Sequence, residues 1–461
     1  MKHLFKNVFA ATLVLFMAYS CSDDDNGTTP NVDPTTTVVD LALDTEDLSI
    51  LVTALTRANL VTTLQGDGPF TVFAPTNAAF EAFLTANNFA SLDDVPTDVL
   101  TQVLLNHVVS GTNLSTNLST GYISSLSTAG AEGRNLSLFV DTSNGVVING
   151  VATVSTPDVT ADNGVVHIVN GVIGLPTIVD HAVANGELSS LVGALTADGN
   201  TTFTTTLSDD QTTFTVFAPV NSGFSSYTNP NSYDINDVLS YHVIVGDAVY
   251  SDELSNGYAS TFATNGDGDN LSQYINVDDG VVINGGSTVA IADVVATNGV
   301  VHAVDNVIDL PTVVTFAVAD GTFSELVGAL TTSTPETDFA TVLSGEGAFT
   351  VFAPTDDAFS NLYTALEVNG SSDIEEGLLT AVLNHHVVSG NVRSGDLTDG
   401  ISPETLEGDN ITLNLPGTGD NIADVTDGAG NDDIGIIVVD VQAFNGVIHV
   451  VNKVMLPDTM N

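Results

Sequence analysis

The sequence predicts an α+β chain of three tandem copies of one module, each a β-wedge or sandwich with helices packed on it. Three recurrences predict this. Phe70-Thr-Val-Phe-Ala-Pro75 returns unchanged at 214–219 and 349–354. Asn163-Gly-Val-Val-His167 returns as Asn298-Gly-Val-Val-His302 and as Asn445-Gly-Val-Ile-His449. A third block, Asn106-His107-Val-Val-Ser-Gly111, returns as Tyr241-His242-Val-Ile-Val-Gly246 and His385-His386-Val-Val-Ser-Gly390, about 30 residues after the first block each time. The steps from His167 to His302 and from His302 to His449 are 135 and 147 residues. A solenoid repeat spans only roughly 20 to 50, so each copy is a domain long enough to enclose its own core. The copies are placed at 38–177, 178–312 and 313–457.

Within a copy the elements follow in order. Leu48, Leu51, Val52 and Leu55 keep the spacing of an amphipathic helix, as do Leu188, Leu191, Val192 and Leu195, then Phe323, Leu326, Val327 and Leu330. Phe70, Val72 and Ala74 alternate with Thr71 and Phe73, which predicts a strand that Pro75 stops. Asn77, Asn221 and Asp356 are placed to cap a helix carrying Phe80, Phe224 or Phe359 into the core. Toward the end of the first copy, Asn149-Gly150 and Asn163-Gly164 read as tight turns between antiparallel strands, because both residue types accept positive φ. The second copy keeps these pairs as Asn284-Gly285 and Asn298-Gly299. The third replaces the first pair with Val438-Val439-Asp440, after a Gly- and Asp-rich insertion from about Pro416 to Gly435. Leu175-Pro176-Thr177 and Leu310-Pro311-Thr312 lead almost directly into the next copy, so short proline linkers predict a semi-rigid rod.

These ordered blocks resemble the fasciclin (FAS1) domain from about Val38 to Pro457. Its two signature segments look like the Phe-Thr-Val-Phe-Ala-Pro and Asn-Gly-Val-Val-His stretches, and its Tyr-His pair looks like Tyr241-His242. The resemblance implies a compact β-wedge with helices and a link to cell adhesion. It also makes the Tyr-His region the binding candidate: Tyr241 and His242, with His107 and His386 at the matching places. Only the second copy has the full pair, which argues against carrying over the integrin site associated with that region in animal members.

The amino terminus predicts attachment. Lys2 and Lys6 precede the apolar run Val8 to Met17, and Ala18-Tyr19-Ser20-Cys21 resembles a bacterial lipobox. Residues 1–20 then form a lipoprotein signal peptide, and Cys21, the sole cysteine, becomes the lipidated terminus. Acyl chains would hold the protein to a membrane at about 0.8 kcal/mol per buried methylene. Ser22 to Thr37, rich in Asp, Thr and Pro, reads as a disordered tether that reaches about 50 Å when extended. Asp23, Asp24 and Asp25 resemble surface-export signals of some Gram-negative lipoproteins, and tether solvation explains them equally well. The outer membrane facing the cell surface is the expected location, with the periplasm as the alternative.

With 57 Asp plus Glu against 6 Lys plus Arg, the net charge is -51. Beyond the leader only Arg57, Arg134, Arg393 and Lys453 are basic, too few for the cationic stripe that a phosphate backbone requires. Nucleic acid is excluded on that ground. Cationic partners or divalent ions fit the surface, as does plain solubility. Asn265-Gly-Asp267-Gly-Asp269-Asn270 alternates oxygens as a calcium loop does, but the twelfth position is Asn276 rather than Glu, so it is not an EF-hand. Asp267 and Asp269 remain the candidate calcium ligands, with looser candidates at Asp420, Asp424, Asp427, Asp432 and Asp433; no other cofactor is expected.

No serine elbow, His-Glu-x-x-His helix or phosphate loop is present in the sequence, and the recurring histidines read as strand residues whose rings satisfy backbone groups. A non-enzymatic protein is expected. Without tryptophan and with nine tyrosines, the chain offers no obvious aromatic platform for sugars. The expected role is a lipid-anchored protein that binds extracellular matrix, polysaccharide or a cell-surface protein, its three weak sites adding through effective concentration. A structural spacer is the alternative.

Overall fold

The computed structural model describes residues 36–197, 201–334, 336–345 and 347–458. The leader, Cys21 and the tether up to Thr35 lie outside the described residues.

Each module is built on one mixed sheet. In the first, the strands lie in the order Val108–Ser110, Phe70–Pro75, Gly164–Val169, Ala152–Ala161, Val147–Ile148, Ser137–Asp141, Gly121–Ser124. Phe70–Pro75 runs parallel to Gly164–Val169, so the two signature blocks are central neighbours. The second module repeats this seven-stranded order, and the third has six strands. The period of two in Phe70–Pro75 separates two cores rather than core from solvent, as expected of a strand covered on both faces. Val72 and Ala74 pack with Leu51, Leu55 and Phe80 on the helical side. Phe73 packs with Val109, Leu138 and Ile148 on the other.

The second signature has two structural reasons. A Cβ on Gly164, Gly299 or Gly446 would lie 2.1, 2.0 or 2.2 Å from the carbonyl oxygen of Phe70, Phe214 or Phe349, all at positive φ, so only glycine lets the parallel pair close. The asparagine before it is a staple. Asn163 Nδ2 donates to the Leu64 and Gly66 carbonyls while its Oδ1 accepts from Val38 N, and Asn298 and Asn445 make the same three bonds in their modules. Asn149-Gly150 and Asn284-Gly285 form the expected positive-φ turns.

Three expectations change. Asn77, Asn221 and Asp356 do not cap their own helices; Thr76 and Thr355 do that in the first and third modules. Their side chains instead accept the N–H of Ile50, Ser190 and Glu325, capping the earlier amphipathic helix across space. Val438-Val439-Asp440 does not replace the Asn-Gly turn. It lies inside the strand Ile434–Ala443, where Asp440 (φ 60°) takes the bulge position of Asp158 (φ 62°) and Asp293 (φ 59°). The insertion before it folds into the strand Ala423–Thr426. Finally, the tether does not run to Thr37. Thr36 O accepts Asp162 N, and Thr37 caps the helix Val38–Leu43 in a capping box with Asp40.

Thr177 and Thr312 cap the first helix of their modules in the same way. The prolines before them are tied down too, since Pro176 O accepts Thr297 N and Pro311 O accepts Phe444 N. Both linkers are therefore bonded to the following module. The two junctions repeat one geometry. Ser137 Oγ accepts Val295 N across the first and Ser272 Oγ accepts Gln442 N across the second, each at 2.9 Å. Tyr122 lies edge-on to His181 and accepts from Asn185 Nδ2, and Tyr258 lies edge-on to Phe316 and donates to Asp320.

Candidate functional site

The Tyr-His region lies where the fifth α-helix of each module ends against the sheet. His107 is the C-cap of the helix Thr97–Asn106 rather than a strand residue. Its Nδ1 bonds the Val103 carbonyl at 2.7 Å and its Nε2 accepts Ile173 N–H at 2.9 Å. His242 repeats this with Val238 and Ile308, and His386 with Val382 and Met455. The accepting Nε2 places the proton on Nδ1, so one neutral tautomer serves both backbone groups. Burial lowers all three imidazoles to about 4. Tyr241 is fully buried, donating to Ser272 O at 2.6 Å and accepting from Asn284 Nδ2, and burial pushes its hydroxyl pKa well up.

This corrects the binding expectation. His107, Tyr241, His242 and His386 are at most 2% exposed, so no partner reaches them while the module is folded. The histidines tie the helix end to the segment that leaves the last strand of each module, and Tyr241 ties it to the strand Asn270–Asn276. The second histidine set is equally internal. His167, His302 and His449 are all fully buried, and each accepts a bulge aspartate's N–H, donates to a loop carbonyl and lies 5.5 to 5.6 Å from a signature phenylalanine ring.

The calcium expectation also changes. Asn265 Oδ1 accepts Asp267 N and Asp269 N within a tight turn. The Asp269 carboxylate accepts Arg393 Nη1 at 2.7 Å and Asn391 Nδ2 at 3.2 Å, so it belongs to a module junction and is already neutralised. Asp267 alone is too few oxygens for the ion. In the insertion, Asp424 accepts from Thr418 N and Asn421, Asp427 from Asn431 and Leu456 N, and Asp433 pairs with Lys453.

One cluster escaped sequence reasoning. His385, Glu407 and Asp409 bring ligand atoms within 4.8 Å of one another. Spacings of 22 and 24 residues give no linear motif. His385 Nε2 accepts Gly428 N–H at 3.1 Å, which puts the neutral ring's proton on Nδ1, 3.6 Å from Glu407 Oε2. A metal at Nδ1 would have to displace that proton, so the arrangement fits a strut holding the insertion better than a metal centre. Burial lowers this imidazole, against the upward pull of Glu407, Asp427 and Asp409.

What recurs on the outside is apolar. Leu43, Val183 and Val318, at one position on the first helix of each module, are 58, 66 and 67% exposed. In the second and third modules they border clefts with room for about 80 and 50 Å³, lined by aliphatic side chains such as Val179, Leu191 and Leu195 or Val314, Leu326 and Leu330. The four cations are occupied: Arg57 by the Leu92, Asp93 and Val95 carbonyls, Arg134 and Arg393 at junctions, Lys453 by Asp433. No basic face is left among the described residues for a polyanion. Among the described residues, no single helix is long and apolar enough to cross a membrane.

The family model of the fasciclin domain matches three segments, 46–176, 186–311 and 321–457. The transforming growth factor-beta-induced protein ig-h3 of Sus scrofa is 31% identical over 294 residues, 59% of this chain and 40% of that protein. This chain thus spans less than half of that relative's length. The uncharacterized protein sll1735 of Synechocystis is 39% identical over 137 residues, 30% of this chain and 96% of its own length. A solved FAS1 domain pair from fasciclin I, an insect cell adhesion molecule, is similar at 22% identity and a TM-score of 0.39, covering 57% of this chain and 96% of that one.

Proposed function

Since the chain belongs to the fasciclin domain family and carries three of its domains, we propose that it is a lipid-anchored adhesion protein of the cell surface, binding extracellular matrix, polysaccharide or a cell-surface protein. The observation that carries this reading is the docking of three such domains in series, with their signature residues turned inward. A buried signature does the work of folding, so contact with a partner falls to outer faces that recur along the chain. Weak contacts held at fixed spacing add through effective concentration, which gives avidity without a deep pocket. The lipobox-like segment ending at Cys21 supports a membrane anchor, and the Asp-rich segment after it supports the outer surface. Interaction with matrix or cell-surface partners needs no reacting group, in keeping with histidines wired to backbone.

The test is attachment of cells expressing the chain to surfaces coated with matrix proteins or polysaccharides, beside cells expressing Cys21→Ser. The expected result is that the variant is released into the soluble fraction and the cells lose attachment, while protease shaving removes the wild-type protein from intact cells. Equal attachment with the unanchored variant would overturn the anchored-adhesin reading. Protection from shaving would move the protein to the periplasmic face.

A further inference from the structure

Two of the four described cations bridge modules, and they do so with opposite polarity. Arg134 and Asp269 hold equivalent places. Each ends a turn closed by a backbone bond, Gly130 N to Arg134 O and Asn265 N to Asp269 O, and each stands three residues before the serine that accepts the next module's N–H. Tyr250 and Arg393 are equivalent too, each directly preceding a serine that donates to a bulge aspartate, Ser251 to Asp293 and Ser394 to Asp440. At the first junction the cation is upstream. Arg134 donates to Asp252 at 2.9 Å and Glu253 at 3.1 Å, with its guanidinium 3.9 Å from the Tyr250 ring centre, and Tyr250 OH donates to Ala131 O. At the second junction the carboxylate is upstream and the cation downstream, Asp269 to Arg393 at 2.7 Å.

We infer that this inversion fixes the order in which the modules dock. The serine-to-backbone bond and the entering tyrosine recur at both junctions, so they cannot by themselves tell one neighbour from another, although the ring contacts around them differ, with Tyr233 meeting Phe444 at the second. Charge can. The first module's downstream edge against the third module's upstream edge would set Arg134 against Arg393. The second module's downstream edge against another copy of its own upstream edge would set Asp269 against Asp252 and Glu253. Like charges brought together are penalised far more than a correct, partly exposed pair is rewarded, so the device works chiefly by rejection. Tandem repeats of similar sequence need such rejection, because misassembly between neighbours is their usual failure. The third module's downstream edge differs again. Ser402 and Thr412, hydrogen-bonded to each other, stand where Tyr122 and Phe139 or Tyr258 and Tyr274 pair. That edge lacks the aromatic pair that seats a following module.

The test uses the full chain carrying Asp269→Arg, which sets two guanidinium groups against each other at the second junction. Proteolysis at Leu310–Thr312 is expected to run at least roughly tenfold faster, with far-UV circular dichroism unchanged. A second variant, Asp269→Arg/Arg393→Tyr/Gly395→Asp, rebuilds the first junction's polarity at the second and is expected to return cleavage to the wild-type rate. Should the single variant lose its fold, recovery of fold and slow cleavage in the triple variant still supports the inference. Wild-type cleavage in the single variant, or no rescue in the triple, would overturn it and leave docking to the apolar contacts alone.

Discussion

A neutral imidazole sealed in a core makes folding depend on pH with a definite sign. His107, His181, His242 and His386 are lowered to about 4 in the folded chain by burial, against about 6.5 when unfolded. Between those values the unfolded chain binds more protons, so stability is full above about 6.5 and falls as the pH drops toward 4. Each ring contributes on the order of 3 kcal/mol across that window at most. His181 differs from the other three, since its Nδ1 has no partner while its Nε2 bonds Val295 O, so it also depends on the first junction's Tyr122 for cover. The expected outcome is a urea midpoint that holds from pH 7.5 to about 6.5 and then declines down to pH 4.5 at high salt, where surface repulsion is screened. A flat profile would mean the rings are hydrated in solution.

Among the elements, the strands were legible because their signals are local: the alternation in Phe70–Pro75 and the Asn-Gly turns at 149–150 and 284–285 specify conformation within a few residues. Partners distant in sequence were not. Asn77 looks like a helix cap, and only the tertiary fold shows that it caps Ser49–Arg57 instead, 27 residues back at Ile50. Val438–Asp440 looked like a lost turn because the bulge it forms is defined by pairing with Gly446–Val451. The ring of His242 was legible as one that satisfies backbone groups, but Tyr241 gave no sign of burial, since a tyrosine before a strand suits an edge as readily as a core. The strut of His385 and Glu407 is assembled from segments that sequence spacing does not connect. The cap yields a sharp expectation. Asn77→Ala should cost about 1 kcal/mol and speed amide exchange at Ile50 rather than at Ala79 or Phe80. Loss of protection at Ala79 with none at Ile50 would restore the local reading.

At the scale of the whole molecule, the family fold supplies three similar bodies, and the junctions turn them into one object. The linkers are hydrogen-bonded to the following module, a tyrosine from each upstream module enters the next, and inverted ion pairs distinguish the two joints. An array held this way presents equivalent outer faces at fixed intervals, which is what multivalent attachment requires. The most direct measurement is binding of the purified chain from Ser22 onward to immobilised matrix proteins, polysaccharides and whole cells, with and without a calcium chelator, beside the Tyr241→Phe variant. Saturable binding that survives both the chelator and the substitution is expected, because Asp269 is committed to Arg393 and Tyr241 is sealed in the core. Absence of saturable binding to every class would contradict the adhesive role, and loss of binding in the folded Tyr241→Phe variant would contradict the outward placement of the contact surface.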